Sequence, residues 1–299
     1  MIVGWAHEQI VSNQFSQKSL DHEPCFHNMQ SKEAPMPFAD VNGTTIHYQF
    51  DGPEQGPVIM LSNSLASNLT MWDDQVHTFI EAGFRVLRYD SRGHGQSAVP
   101  PGPYSIEMLA QNAVGLLDTL GLDKVLFCGL SKGGMVGQML GVRHAERLIA
   151  LALCSTSAHM GPPEIWDERI KAVQDQGMQA VADATIDRWF TPAGQKRIPE
   201  KVEAVRQMVL NTPVQGFCAS CEAIRDMDQR QAISRITLPT FVLVGEFDPG
   251  TTVSHAQLIQ EQIAGSTLEV IKDAAHMINI EQAEACTSKL LDFFKSQTQ

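Results

Sequence analysis

Short apolar runs recur along most of the chain, and amphipathic segments with helical spacing lie between them. Continuous apolar runs of about four to eight residues are typical of strands buried on both faces of a parallel sheet. The runs are VIMLS (58–62), FRVLRYD (84–90), KVLFCG (124–129), LIALALCS (148–155), TFVLVGE (240–246) and TLEVI (267–271). This alternation predicts an α/β fold with a mostly parallel, doubly wound sheet.

The clearest predicted helix lies between the second and third of these runs. Ser105 is a suitable N-cap, because its hydroxyl can accept a hydrogen bond from a free backbone N–H of the first turn. Leu109, Leu116 and other apolar residues then repeat at helical spacing until Gly121, which predicts the end of the helix. Such a helix buries one face against the sheet.

The start of the folded domain is predicted near Met36. Residues 1–35 are polar and aperiodic, which favours a loosely ordered N-terminal extension. The following stretch, MPFADVNGTTIHYQF, has an Asn42-Gly43 turn between strand-forming residues and predicts a β-hairpin. Met36 is therefore also a candidate for the true initiator.

One long segment breaks the alternation of strands and helices. Residues 158–235 contain no strand pattern and read as several helices interrupted by prolines. A helical insertion between two core strands is expected to cover the carboxyl edge of the sheet, where open α/β folds bind ligands. We therefore predict a core of residues 36–157 and 236–299 with residues 158–235 as a lid.

Composition excludes several classes of function. The 299-residue chain is 43% hydrophobic and carries 22 basic against 34 acidic residues, a net charge of −12. A nucleic-acid partner is not expected from this charge, and no run reaches the roughly 18 apolar residues of a membrane-spanning helix. The six cysteines do not make a disulfide framework. Cys218 and Cys221 form a C-A-S-C spacing, but no second pair or histidine cluster accompanies it, so two small residues on a helix are favoured over metal or redox chemistry. These features, with no secretory leader pattern, predict a cytoplasmic protein without a metal or cofactor.

Ser131 is the strongest candidate nucleophile. Gly129-Leu130-Ser131-Lys132-Gly133 fits G-x-S-x-G directly after an apolar strand and directly before a helical pattern. That context predicts a strained turn that lifts the hydroxyl out of the sheet edge, with glycines permitting close backbone packing. An incidental glycine-rich turn is the alternative.

A serine nucleophile needs a base, and the base needs a group that orients it. Asp248 follows the strand TFVLVGE and is the preferred acid, with Glu246 as its rival. His276 follows the strand TLEVI and is the predicted base, in the chain order of serine, acid and histidine. For the oxyanion, the predicted backbone N–H donors are that of Lys132 and that of Ser64 or Leu65.

These motifs together resemble the 3-oxoadipate enol-lactonases of the α/β-hydrolase superfamily. The resemblance extends over about residues 36–297 and departs from the family at the N-terminal extension and at Lys132, where many relatives carry Met or Leu. Its most particular stretches are SNSLASNLTMWDDQ (62–75), CASCEAIRDMD (218–228) and AAHMINIEQ (274–282). The family's nucleophile, acid and base fall on Ser131, Asp248 and His276.

The resemblance implies hydrolysis of an unsaturated lactone with an acetate arm, from aromatic-ring catabolism, to 3-oxoadipate. The substrate carboxylate then needs a cation, and a solvated position on a helix surface is the alternative role for each candidate. The candidate cations are Arg225, Lys132 and, behind them, Arg188. The candidate tryptophans for the cavity wall are Trp72, Trp166 and Trp189, with core packing as the alternative.

Other functions use the same triad. A generic carboxylesterase or a hydrolase that cleaves carbon–carbon bonds of ring-fission products would differ only in lid residues. A small-molecule receptor that retains the triad is a further alternative from another class. A cofactor-dependent enzyme is not supported, because no dinucleotide-binding G-x-G-x-x-G follows the first strand.

Overall fold

A computed structural model of the protein describes residues 37–298. The predicted extension over residues 1–35 and the candidate start at Met36 lie outside them. The described strands are β1 (Phe38–Val41), β2 (Thr44–Asp51), β3 (Val58–Ser62), β4 (Arg85–Tyr89), β5 (Val125–Leu130), β6 (Leu148–Cys154), β7 (Thr240–Gly245) and β8 (Thr267–Ile271). The described helices are α1 (Asp73–Glu81), α2 (Ile106–Thr119), α3 (Lys132–Arg143), α4 (Pro163–Gln176), α5 (Gln179–Trp189), α6 (Pro192–Arg197), α7 (Pro199–Leu210), α8 (Val214–Arg225), α9 (Val253–Gln262), α10 (Ile278–Glu281) and α11 (Ala283–Ser296).

All eight of these strands form one sheet. Their order is β1-β2-β4-β3-β5-β6-β7-β8. The pairs β1–β2 and β2–β4 are antiparallel, and every pair from β4 across to β8 is parallel. The predicted fold class, a mostly parallel α/β-hydrolase sheet, is confirmed.

Burial follows the position of each strand in the sheet. Every residue of β5 and of β7 is buried, as expected for central parallel strands with helices on both faces. The run TLEVI, which we predicted to be buried on both faces, forms the edge strand β8, where only Ile271 is buried. An edge strand has one neighbour instead of two, so apolar composition alone does not reveal its exposure.

Two predicted local structures are present. Asn42 and Gly43 connect β1 to β2 and both have positive φ, 49° and 73°, as a two-residue hairpin turn requires. The Ser105 side chain accepts a hydrogen bond from the backbone N–H of Met108 and caps α2. Gly121 follows α2 with φ of 65°, which only glycine adopts readily.

Helices α4 to α8 lie between β6 and β7 in the chain, and we call these five helices the inserted helices. Trp166, Ile170 and Val173 form the buried face of α4, as their spacing predicts. An isolated antiparallel bridge between His159 and Asp228 joins the two ends of the insertion. Over residues 37–298, no helix is both long enough and apolar enough to span a bilayer.

Candidate active site

Ser131 occupies a strained turn between β5 and α3. Its φ of 57° and ψ of −115° are unfavourable for a residue with a Cβ, so neighbouring contacts must hold it. The Ser131 N–H donates to the Cys154 carbonyl at 2.9 Å. The Ser131 carbonyl accepts from the Met135 N–H at 3.0 Å and from the Thr156 hydroxyl at 2.8 Å. The turn is thus bonded on both sides, which leaves the side chain to project from the sheet edge.

Two glycines make this turn possible. A Cβ on Gly129 would collide with the backbone of Gly133, and a Cβ on Gly133 would collide with the carbonyl oxygen of Ser62. These obstacles are backbone atoms, which have no rotamer by which to move away. The glycines of the motif therefore serve close packing of β3, β5 and α3 around Ser131.

His276 is paired with Asp248. The distance from His276 Nδ1 to Asp248 Oδ2 is 2.7 Å, and the Asp248 carboxylate also accepts from the Thr251 hydroxyl at 2.7 Å. Its other oxygen accepts from the backbone N–H groups of Thr251 and Gly250, each at 2.9 Å. The rival acid, Glu246, is exposed and accepts from the Asp273 N–H instead.

This environment favours the ionised form of Asp248. Burial alone raises the pKa of a carboxyl group, but the charge and hydrogen bond of His276 and the hydrogen bonds from Thr251 outweigh it. The pKa of Asp248 is therefore held below its usual value. An ionised Asp248 keeps the Nδ1 proton on His276 and leaves Nε2 available as a base.

The three triad candidates line one cavity of about 360 Å³. Loops of the core and the inserted helices both contribute side chains to its lining. The Trp189 ring stacks on the His276 ring with 5.9 Å between centroids and 28° between planes. Besides the triad and Trp189, the lining residues are Ser64, Leu65, Ala66, Met135, Met160, Gly161, Ile165, Trp166, Arg169, Thr185, Arg188, Phe217, Ile224, Pro249, Gly250 and Thr251.

The backbone near Ser131 offers two donors for an oxyanion. The Ser64 N–H points to the Met71 thioether, with 3.4 Å between nitrogen and sulfur. Among residues 37–298, no acceptor lies within hydrogen-bond distance of the Leu65 or Lys132 N–H. This arrangement favours Leu65 over Ser64 as the candidate second donor, and the oxyanion site stays a prediction.

Two arginines of the inserted helices line the same cavity. Arg169 on α4 lies over the Trp166 ring, with its guanidinium carbon 4.5 Å from the ring centroid. Arg188 on α5 donates to the Thr185 hydroxyl at 3.2 Å. Within the described part of the chain, neither has a carboxylate within 4.0 Å. Burial lowers the pKa of both, and the charge of Arg169 further lowers that of Arg188. This wall of the cavity is suited to an anion.

Three predicted substrate contacts are corrected by the structure. Arg225 does not line the cavity, because its guanidinium pairs with Asp167 and Asp226, each at 2.7 Å. The Lys132 side chain is fully buried beneath the cavity, with Nζ 3.4 Å from His94 Nδ1. Trp72 is also fully buried and donates from Nε1 to Asn63 Oδ1. Trp166 and Trp189, by contrast, do line the cavity.

Sequence reasoning missed Arg169 and gave Arg188 only third place. The signal for Arg169 was present in its spacing, since it follows Trp166 by three residues and precedes Ile170 on the buried face of α4. A cation on an otherwise apolar helix face was the indication of an anion site. Among residues 37–298, no group of three or more potential ligands is arranged to hold a metal ion.

The chain has related proteins of known activity. Residues 53–283 match a family model described as Hydrolase_4: Serine aminopeptidase, S33. The chain is 38% identical over 240 residues to 3-oxoadipate enol-lactonase 2 of Acinetobacter baylyi, covering 80% of this chain and 89% of that protein. It is 34% identical over 254 residues to 3-oxoadipate enol-lactonase 1 of the same organism, with coverages of 85% and 94%.

A solved structure is also similar over most of the chain. The crystal structure of the enol-lactonase from Burkholderia xenovorans superposes with a TM-score of 0.85 at 42% identity, covering 87% of this chain and 100% of that one. The family match over residues 53–283 includes strands β3 to β8, the inserted helices and the loops that bear Ser131, Asp248 and His276. The chain belongs to the α/β-hydrolase superfamily and, within it, to the family of 3-oxoadipate enol-lactonases.

Proposed function

We propose that this lactone hydrolase converts 3-oxoadipate enol-lactone to 3-oxoadipate through an acyl-enzyme on Ser131. The observation that supports this most is that one cavity is lined both by the nucleophile and base and by two arginines. Ser131 and His276 line it from the core, and Arg169 and Arg188 line it from the inserted helices. A lactone that bears a carboxylate arm presents its reactive carbonyl and its anion to these two sets of groups at once.

Acylation begins at the lactone carbonyl. Ser131 Oγ attacks the carbonyl carbon while His276 Nε2 accepts the hydroxyl proton. Asp248 remains ionised and stabilises the imidazolium that forms. The carbonyl oxygen becomes an oxyanion, which accepts hydrogen bonds from the Leu65 and Lys132 N–H groups. The N-terminal end of α3 supports this negative charge.

The intermediate then collapses by breaking the ring C–O bond. His276 returns its proton to the departing enol oxygen, and the enol tautomerises to a ketone. The substrate's acyl group stays esterified to Ser131. A water molecule attacks the ester carbonyl with His276 again as base. Breaking the Ser131 ester bond restores the hydroxyl and releases 3-oxoadipate with a second carboxylate.

The arginines bind the acetate arm in this proposal. Since neither guanidinium forms a salt bridge within residues 37–298, a substrate carboxylate would not have to displace such a partner there. Each guanidinium offers several N–H donors. The apolar side chains of Met135, Phe217 and Ile224 surround the ring and exclude water. The cavity volume of about 360 Å³ is sufficient for a lactone of this size.

We also infer that residues 158–235 act as a lid over a core of residues 36–157 and 236–299. Side chains of α4, α5 and α8 line the same cavity as Ser131, which supports this role. A cytoplasmic location is supported by free, buried thiols at Cys128, Cys154, Cys218, Cys221 and Cys286.

The experiment follows loss of the lactone's ultraviolet absorbance for the wild type and for Ser131→Ala, beside a neutral p-nitrophenyl ester. We expect rapid lactone turnover that falls by about four or more orders of magnitude in the variant. An active ester with an inert lactone would leave a carboxylesterase and reject the lactone. Full activity of Ser131→Ala would reject the nucleophile.

A further inference from the structure

Glu281 is a buried carboxylate that the catalytic steps above do not use. Its side chain lies at the end of α10, with the residue 3% exposed. One oxygen, Oε2, accepts from the backbone N–H of Ala275 at 2.8 Å, directly before His276. The other oxygen, Oε1, accepts from the Thr191 N–H at 2.9 Å and from the Thr191 hydroxyl at 2.5 Å. The carboxylate therefore joins the loop of the base to the inserted helices.

The same segment of the inserted helices touches His276 in two further ways. The carbonyl of Trp189 accepts from the Met277 N–H at 3.0 Å, so the backbone N–H groups of both residues that flank His276 are hydrogen-bonded. The Trp189 ring stacks on the His276 imidazole. Arg188, one of the two cavity arginines, directly precedes Trp189 in the chain.

The contact leaves little room for another arrangement. Gly194 of α6 lies against the carboxylate, and a Cβ at that position would collide with Glu281 Oε1. Arg197, also on α6, donates to the backbone carbonyl of Glu281 at 2.5 Å. Main chain and side chain of Glu281 thus hold the same short stretch of the insertion, and this stretch has no freedom to shift without moving the His276 loop.

We propose that Glu281 is a positioning residue that fixes the His276 loop and the Arg188–Thr191 segment relative to each other. Through this link the base and a substrate-binding cation keep one geometry, which matters because about 1 Å of misplacement costs about a hundredfold in rate. The part that concerns Arg188 rests on the proposed function. The part that concerns His276 does not, since any ester substrate of this triad needs the base in place.

The decisive variant is Glu281→Gln. Its amide keeps one acceptor oxygen but replaces the other with an NH₂ group, which cannot accept from the Ala275 or Thr191 N–H. The matched control is Glu284→Gln, the same change three residues later at an exposed position of α11. Steady-state kcat and KM are measured at 25 °C with p-nitrophenyl acetate and with the enol-lactone, after near-UV circular dichroism has verified folding.

We expect Glu281→Gln to lower kcat for the neutral ester at least tenfold, with a further rise in KM for the lactone alone. Glu284→Gln should match the wild type. A folded Glu281→Gln enzyme with ester kcat within twofold of wild type would overturn the proposal, even if its melting temperature fell, because that pattern is purely structural. If the wild type cleaves the ester but not the lactone, the proposed function is rejected. The effect of Glu281→Gln on ester kcat would still test the positioning of His276.

Thr191 supplies a second route if Glu281→Gln does not fold. Thr191→Val removes the hydroxyl that contacts Oε1 and should lower ester kcat in the same direction by about threefold or more. Thr191→Ser retains the hydroxyl and should restore most of that loss. Equal activity of the valine and serine variants would contradict the link.

Discussion

Among the described residues, the buried Lys132 side chain forms no salt bridge with a carboxylate, although its backbone N–H serves the proposed oxyanion site. Its side chain is fully buried, and Nζ lies 3.4 and 3.5 Å from the two ring nitrogens of His94. Burial lowers the pKa of Lys132 to about 7, against smaller opposing effects of Cys221 and Asp90. Burial and the charge of Lys132 in turn hold the pKa of His94 well below its usual value. A charged Lys132 therefore costs stability.

This cost predicts a pH dependence of stability. Below about pH 7 the folded and unfolded chains both carry the Lys132 proton and the cost is complete. Between pH 7 and the unfolded pKa of 10.5 the unfolded state binds more protons, so the free energy of unfolding rises with pH. Lys132→Met, which has no such proton, should be more stable at pH 7. In urea unfolding, the difference in free energy of unfolding between Lys132→Met and the wild type should decrease by about 2 kcal/mol from pH 7 to pH 9. Parallel pH profiles of the two proteins would contradict a lowered pKa of the buried Lys132 amine.

The two cavity arginines predict a selective loss of affinity. Arg188→Gln and Arg169→Gln each remove a charged donor, and a hydrogen bond to a charged group is worth about 1.5–3 kcal/mol. We expect KM for the carboxylate-bearing lactone to rise about tenfold or more, with KM for a neutral ester nearly unchanged. Arg225→Gln is the matched control, because Arg225 pairs with carboxylates away from the cavity. An equal effect of all three changes on both substrates would contradict the anion site.

At the scale of helices, the sequence identified the inserted elements better than the faces they present. Arg225 ends α8, and the hydrogen bonds that it donates to Asp226 and Asp167 raise its pKa and hold it outside the cavity. Ile224, its neighbour, lines the cavity instead. Which side of an inserted helix faces Ser131 depends on how α4, α5 and α8 pack on one another. Such packing joins residues far apart in the chain, so helical spacing alone did not select Arg169 and Arg188 over Arg225.

The turn from β5 into α3 predicts an unusual glycine effect. Within a helix, Gly→Ala ordinarily stabilises by up to about 1 kcal/mol. Gly133→Ala should instead destabilise by about 1–3 kcal/mol and lower kcat sharply, since its Cβ would meet the Ser62 carbonyl and displace Ser131. Gly141→Ala in the same helix is the control, because its Cβ would meet side-chain atoms of Ile236 and Leu151 at 3.1–3.3 Å and no backbone atom among its nearest neighbours. Similar unfolding curves and kcat for both variants would contradict this account.

For the whole molecule, the strands were predictable while their order was not. Each central strand is marked locally by an apolar run, and the residues that follow β5, β7 and β8 include Ser131, Asp248 and His276. Parallel strands all place their carboxyl ends on one edge, so these residues were expected together. The order β4-β3-β5 and the edge position of β8 arise from pairing between distant segments. The residue pattern of one strand does not show which other strand pairs with it.

Divergence within this architecture is constrained by the contact between Thr191 and Glu281. The groups suited to select a substrate lie on the inserted helices, whereas the groups suited to react lie in loops at the edge of the sheet. Exchange of residues 163–225 could therefore change the specificity while leaving the reacting groups in place. A foreign segment without the Thr191 hydroxyl would remove one hydrogen bond from the buried Glu281 carboxylate, at a cost of about 1–3 kcal/mol. A working chimera must therefore import that residue or replace Glu281 in the same step.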